Sequence, residues 1–310
     1  MLPRRPLILA ALGAALLLAP ASGGAPARER EAGPAAPFAA EELIRAVVRA
    51  QRRADLAVTA ATFDQVEVRT DYGKDGRPKS VKRRRYQYLS GDDPREATRE
   101  LVEVDGRPPT AAELEEEAED QAKEAARRRE SAAREARARA ERPPAVGGDE
   151  EDPLVGPRRL SELIARFSYG PVEEVWWEER PAWALEFAPR PGLRVASLAD
   201  RALNSLAGRV VVDAGALQVV SVEARLVSPV KLGGGLAANV RSASISYRAQ
   251  RLADGAFLPC VVELRAKGRT GVFFRLDSAF RFEFSGYARF AVEVESEVGG
   301  PGGPSVQSAP

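Results

Sequence analysis

The chain has 310 residues, with 46 Lys and Arg against 45 Asp and Glu, a formal net charge of +1, one cysteine and no histidine. So even a balance leaves no electrostatic footprint for nucleic acid. The missing histidine excludes Ser-His-Asp and Cys-His nucleophile systems and His-based metal sites, and Cys260 by itself builds neither an internal disulfide nor a zinc site.

The chain opens with MLPRRPLILAALGAALLLAPASGGAPA. Arg4 and Arg5 precede an apolar run from Leu7 to Leu18 that is too short to span a bilayer, and small residues follow at Ala19-Pro20-Ala21 and Ala25-Pro26-Ala27. Residues 1–27 therefore read as a cleavable signal peptide and 28–37 as a Pro/Ala linker. Residues 1–27 hold Arg4, Arg5 and no acid, so removing them takes the charge from +1 to −1. The expectation is a soluble periplasmic protein.

Phe38 to Arg53 carries Phe38, Leu43, Ile44, Val47 and Val48 at helical spacing, which predicts an amphipathic helix. From Ala57 the period changes to two, as Val66 and Val68 alternate with Glu67 and Arg69. The turn GKDGRP and a returning strand with Tyr86 and Tyr88 complete a hairpin, and TRELVEVDG supplies a third strand. KRRR at 82–85 reads as charge protecting an exposed strand.

Thr110 to Arg142 differs in kind. Thr110-Ala-Ala-Glu113 is a capping box, and beyond it opposite charges recur four apart at Glu119 and Lys123, Glu124 and Arg128, Glu130 and Arg134, and Glu135 and Arg139. This predicts a long exposed charged helix inserted at 110–142, followed by the linker PPAVGGDEEDP. DEED at 149–152 lacks the spaced ligands and glycine of a calcium loop. Two more short helices are predicted, over 157–167 and near Leu198 to Leu206, on either side of a hairpin carrying Trp183, Leu185 and Phe187 on one face.

The last third is nearly continuous strand signal, broken by a glycine-rich bend at SPVKLGGGLAA. That bend opens no helix, so Gly233-Gly-Gly235 is no phosphate cradle. Cys260 falls on the apolar parity with Val262 and Leu264, as a buried inert thiol. In VFFRLDSAFRFEF, Phe274, Leu276, Phe280, Phe282 and Phe284 share one parity, and Arg275, Asp277, Arg281 and Glu283 share the other. Five such side chains in water would forfeit on the order of 10 kcal/mol, so something apolar must cover them. A lipid-facing barrel, a closed sandwich and an open curved sheet with helical lids all satisfy that demand. Helices inserted between strands argue against the membrane barrel. The tail 295–310 is Gly/Pro-rich and reads as disordered.

The run from RPAWALEFAPRPG through LAGRVVVDAGALQVVSVEARLVSPV to LADGAFLPCVVELRAKGRTGVFFRLDSAFRFEFSGYARF resembles the outer-membrane lipoprotein-sorting protein family, the LolA/LolB-like group. The likeness lies in the order of elements and covers most of residues 57–294. It implies an α+β, mainly β fold: a curved antiparallel sheet forming an unclosed half β-barrel over 38–294, with helical lids. It also implies a periplasmic carrier that binds acyl chains of lipoproteins or related lipids, with no catalysis, no cofactor and no metal. Trp183, Leu185, Phe187, Phe274, Leu276, Phe280, Phe282 and Phe284 would line the cavity, with Leu43, Ile44, Val47 and Val48 as lid and Leu232 and Leu236 as rim. Parity locates a face and not its occupant, so each of these residues also reads as ordinary core. Arg84 and Arg166 are the candidates for the arginine with which such carriers govern lid closure. The expected partners are lipids, with inner- and outer-membrane proteins beside them, and the chain is expected to be a monomer. The alternative is an RseB-like periplasmic sensor that uses the same half-barrel for signalling and the charged helix as its partner arm.

Overall fold

The computed structural model describes residues 39–59, 61–89, 98–140, 160–192, 198–232, 238–270 and 274–289. The expected signal peptide at 1–27, the linker at 28–37, DEED at 149–152, Leu236 and the tail at 295–310 lie outside them. Helix α1 (Ala40–Thr59) leads into the hairpin β1 (Ala61–Tyr72) and β2 (Pro78–Leu89), then β3 (Thr98–Val104) and helix α2 (Ala111–Ala140). Helix α3 (Leu160–Ile164), β4 (Phe167–Trp177), β5 (Arg180–Pro189) and helix α4 (Leu198–Leu203) follow. The chain then runs as strands: β6 (Leu206–Asp213), β7 (Val219–Leu226), β8 (Val230–Leu232), β9 (Ala238–Arg251), β10 (Phe257–Thr270) and β11 (Phe274–Arg289).

All of these strands join one antiparallel, 11-stranded sheet in the order β3-β2-β1-β11-β10-β9-β7-β6-β5-β4, with β8 paired to β9 off that path. The sheet does not close into a barrel, because β3 and β4 stand at its two ends. Short turns place sequential strands side by side, and β1 pairs with β11, joining the first strand to the last. The tightest turn, Glu178-Glu179 between β4 and β5, puts both residues at positive φ, 46° and 65°. That left-handed pair matches the twist of a two-residue hairpin.

The sheet's two faces are chemically opposite. One cross-strand row runs Val104, Arg84, Glu67, Phe282, Val262, Tyr247, Val222, Val210, Leu185, Val172, and it is apolar from Phe282 onward. The neighbouring row on the other face runs Val68, Arg281, Glu263, Ser246, Glu223, Arg209, Glu186. Helices gather on the apolar side. Leu43, Ile44 and Val47 of α1, Leu160, Leu163 and Ile164 of α3, and Ala202 and Leu203 of α4 are buried in the same cluster as Leu185, Phe187, Val210, Leu264 and Leu276. Two hydrogen bonds fix the cover. The Val219 N–H donates to Gln51 Oε1 (3.2 Å), and the Tyr169 hydroxyl donates to the Ile164 carbonyl (2.7 Å).

Helix α2 corrects an expectation. Its capping box forms as predicted, with the Thr110 N–H donating to Glu113 Oε2 (2.8 Å) and the Glu113 N–H to Thr110 Oγ1 (3.4 Å). The helix is not exposed throughout, however, because Glu117 is buried at 3% exposure on β2 and β3. Its carboxylate accepts from Arg99 Nη2 (2.8 Å), the Tyr86 hydroxyl (3.2 Å), Arg84 Nη1 (3.3 Å) and Gln121 Nε2 (3.3 Å). Gln121 Nε2 donates also to the Arg99 carbonyl (3.1 Å), and the Arg99 guanidinium lies 4.7 Å above the Tyr86 ring. Burial pushes the Glu117 carboxyl up, but Arg99, Gln121 and Arg84 more than offset this and hold it below the usual carboxylate range.

This architecture generates three predictions. A depressed carboxyl contributes its stability above its unfolded value of about 4.3 and loses it as pH falls through the lower folded value. Acid should therefore loosen α2 below about pH 4. Glu117→Leu strands two arginines and should cost about 3 kcal/mol in urea denaturation at pH 7, whereas a loss below about 0.5 kcal/mol would mean that the contact does not form. At Gly208, an added Cβ would run into the Glu223 carbonyl and lie 2.8 Å from the Ala224 Cα. Gly208→Ala must push β6 from β7 and should destabilise by about 1 to 3 kcal/mol.

Candidate functional site

The ring-bearing face is built by strand parity and by register. Phe282 and Phe284 are buried with Phe63, Leu258 and Val262, while Leu185, Phe187 and Leu276 belong to the larger cluster under the helices. Phe280 is half-buried, lies 6.3 Å from the Phe282 ring and carries the Arg69 guanidinium 5.5 Å from its centroid. Trp183 is also half-buried. Phe274 departs from the rest, since it begins β11 at the sheet's margin and is 72% exposed. Of the expected lid, Leu43, Ile44 and Val47 are buried and Val48 packs against them at partial exposure. Leu232 ends β8 opposite Ala238. The structure thus brings together most of the named apolar residues and leaves Phe274 outside the group.

The two candidate arginines bond different elements. Arg84 shares a cross-strand row with Phe282 but turns to Glu117 and Glu116 of α2. Arg166 bonds Asn204 Oδ1 at 3.1 Å, beside α4. Cys260 is half-buried, with its thiol 3.4 Å from the Arg248 carbonyl, and burial pushes its pKa up. The irregularity in the β9–β10 register at Pro259/Val261 takes Cys260 out of the simple alternation that predicted a buried thiol.

Sequence reasoning missed three features. Gln51 and Gln65 are polar residues buried on the apolar side. Gln65 lies in the row Leu101, Tyr86, Gln65, Phe284, and neither of its amide atoms has a hydrogen-bond partner among the described residues. The third is a trough of about 740 Å³ on the ionic face, extending from Val68 on β1 across β11, β10, β9, β7 and β6 to Glu186 on β5. Arg281 crosses it to Glu263 (2.6 Å) and runs along β11 to Glu283 (2.7 Å), while Arg209 pairs with Glu173 (2.9 Å). Period-two alternation did announce a polar face, but not that it would be hollow.

Among the described residues, no three of Asp, Glu, Cys and His gather to hold a metal, and no helix is long and apolar enough to cross a membrane.

The parity assignment is directly testable. Phe282→Asp buries a carboxylate among rings and should cost about 3 kcal/mol or more. Arg281→Asp faces Glu263 and Glu283 with a third carboxylate at a half-exposed site and should cost about 1 kcal/mol. Urea denaturation of both variants checks the order, and the reverse ranking would overturn the assignment of the two faces.

No protein-family model matches the sequence, and no curated protein matches it. Among solved structures, the chain is similar to an outer membrane lipoprotein-sorting protein domain from Vibrio parahaemolyticus, at 11% identity and a TM-score of 0.35 over 83% of this chain and 96% of that one. It is similar to a DUF1329 family protein from Desulfovibrio piger at 12% identity and a TM-score of 0.35, over 81% and 94% of the two chains. It is also similar, at 13% identity and a TM-score of 0.19 over 77% and 94%, to the MucA/MucB complex structure of Pseudomonas aeruginosa.

Proposed function

We propose that the protein is a non-catalytic periplasmic carrier that holds the acyl chains of lipoproteins or related lipids against the apolar face of its sheet. The observation that carries this reading is the nature of the cover. The sheet is unclosed, and the part of its apolar face that carries Leu185, Phe187 and Leu264 is covered by helices, with Leu43, Ile44 and Val47 of α1 packed into the same cluster. A helical cover can be displaced without breaking a strand ladder. An acyl chain inserted under it gains about 0.8 kcal/mol per methylene removed from water, with no polar recognition required. Trp183, Val222, Ala224 and Phe280 remain half-exposed on this face, which gives an incoming chain a place to start. In this reading Leu185, Phe187, Leu276, Phe282 and Phe284 line the filled cavity, α1 is the lid, and residues 38–294 act as one unit.

A second reading, an interaction protein of the sensor type, is favoured by α2. Its base is clamped at Glu117, and Ala122, Lys123, Ala125, Ala126, Arg129 and Glu130 beyond the clamp are exposed, as an arm held out for a protein partner would be.

Native mass spectrometry and lipid extraction on protein purified from an exporting host, without harsh detergent, test the carrier reading. Acyl lipid should co-purify, and it should be lost in Phe282→Asp protein that remains folded. A clean apo mass, together with no uptake of a fluorescent fatty acid, would overturn the reading. Deleting residues 122–140 while keeping Glu117 and Gln121 separates the two readings, since a carrier should keep its lipid and an interaction protein should lose its partner.

A further inference from the structure

The trough on the ionic face has an order that its composition conceals. About the central strand β9, one row reads Arg281, Glu263, Ser246, Glu223, Arg209, and the next reads Ala279, Arg265, Ser244, Arg225, Ala207. Each is symmetric about a serine. In the first row charge is compensated, because Arg281 is bound to Glu263 and Glu283 and Arg209 to Glu173. The second row contains no acid. Two arginines flank Ser244 there, two strand spacings or about 10 Å apart at the backbone, and alanines beyond them leave the space open.

The two arginines are held differently. Arg265 is oriented from the side, with its guanidinium 4.2 Å from the Tyr72 ring centroid and 3.5 Å from Asp277 Oδ1. Arg225 is exposed and has no hydrogen-bond or ion-pair partner among the described residues, and Ser244 is exposed between the two. Two guanidiniums over a hydroxyl suit a tetrahedral oxyanion, since each can present a pair of N–H donors to it. About 7 Å along the strands, Glu263 and Glu223 flank Ser246 and present acceptors, which suit an ammonium or hydroxyl on the same ligand.

We propose that this trough is a binding site for a phosphate ester that carries a neighbouring hydrogen-bond-donating group, of the phosphoethanolamine type. The phosphate lies between Arg225 and Arg265 over Ser244, and the donor group lies between Glu223 and Glu263 over Ser246. The site is on the opposite face from the proposed acyl cavity and does not depend on it.

Isothermal titration calorimetry of the full protein with O-phosphoethanolamine tests the assignment. Inorganic phosphate and vesicles containing phosphatidylethanolamine serve as the other two probes. Saturable binding of O-phosphoethanolamine is expected, tighter than that of inorganic phosphate, and Arg225→Gln should weaken it at least about tenfold with an unchanged far-ultraviolet spectrum. Arg225 is exposed, so this variant should fold, and Arg265→Gln provides the second test. Binding to vesicles as well would identify a lipid headgroup as the source, and binding of the soluble ester alone would identify a free phosphate ester. The proposal is overturned by no saturable binding, by equal affinity for inorganic phosphate, or by wild-type affinity in both arginine variants. Fatty-acid uptake should be unaffected by Arg225→Gln, which keeps this test separate from that of the acyl cavity.

Discussion

Antiparallel register is the constraint on which this molecule rests. A row that starts at Val104 on β3 reaches Val172 on β4 without changing face. A slip of one residue anywhere along it would move a strand's rings into water and its charges into the core. Phe282, Val262, Tyr247, Val222, Val210 and Leu185 each come from a different strand, and they form one surface only because every pairing keeps the same phase. The register irregularities between β9 and β10 each take up one extra residue, Cys260 on β10 at Pro259/Val261 and Arg241 on β9 at Lys267/Gly268.

An unclosed sheet has two edges, and each is managed differently. At β3 the buried Glu117 ties α2 to Arg84, Arg99 and Tyr86, so a charged helix is secured by one desolvated carboxylate with four donors. A buried charge with that many partners fixes orientation more than it adds net stability. At β4 the strand carries Pro171 within a register irregularity, followed by the exposed carboxylates of Glu173 and Glu174, and such features discourage edge-to-edge pairing.

On the proposed readings, the two faces would also divide the kinds of ligand between them. An apolar guest would need area and would have to displace the helical cover, including the Val219 to Gln51 hydrogen bond between residues 168 apart in sequence. A polar guest on the other face would meet an open trough whose charges are already placed by the ladder. Because alternate residues of the same strands build both surfaces, Arg281 and Phe282 are sequence neighbours serving opposite sides.

How much was legible follows from the range of each signal. Period-two alternation is local, so the ring-bearing parity of Phe280, Phe282 and Phe284, the β1–β2 hairpin and the Thr110 capping box could all be read from a few consecutive residues. The exposure of Phe274 could not, because parity holds along a strand but burial ends where the neighbouring strands and helices end. Gln51 and Gln65 were passed over because burial of a polar side chain depends on what lies above it. Glu117 looked like any other acid on a solvated helix until β2 and β3 brought Arg84 and Arg99 beneath it. The sequence by itself determined a sheet with one apolar and one ionic face and the helices available to cover it, since these depend on spacing alone. Only the tertiary structure decided which strands are neighbours, and with that the edge clamp at Glu117 and the alignment of Arg225, Ser244 and Arg265, because strand pairing joins residues whose sequence separation carries no periodic trace.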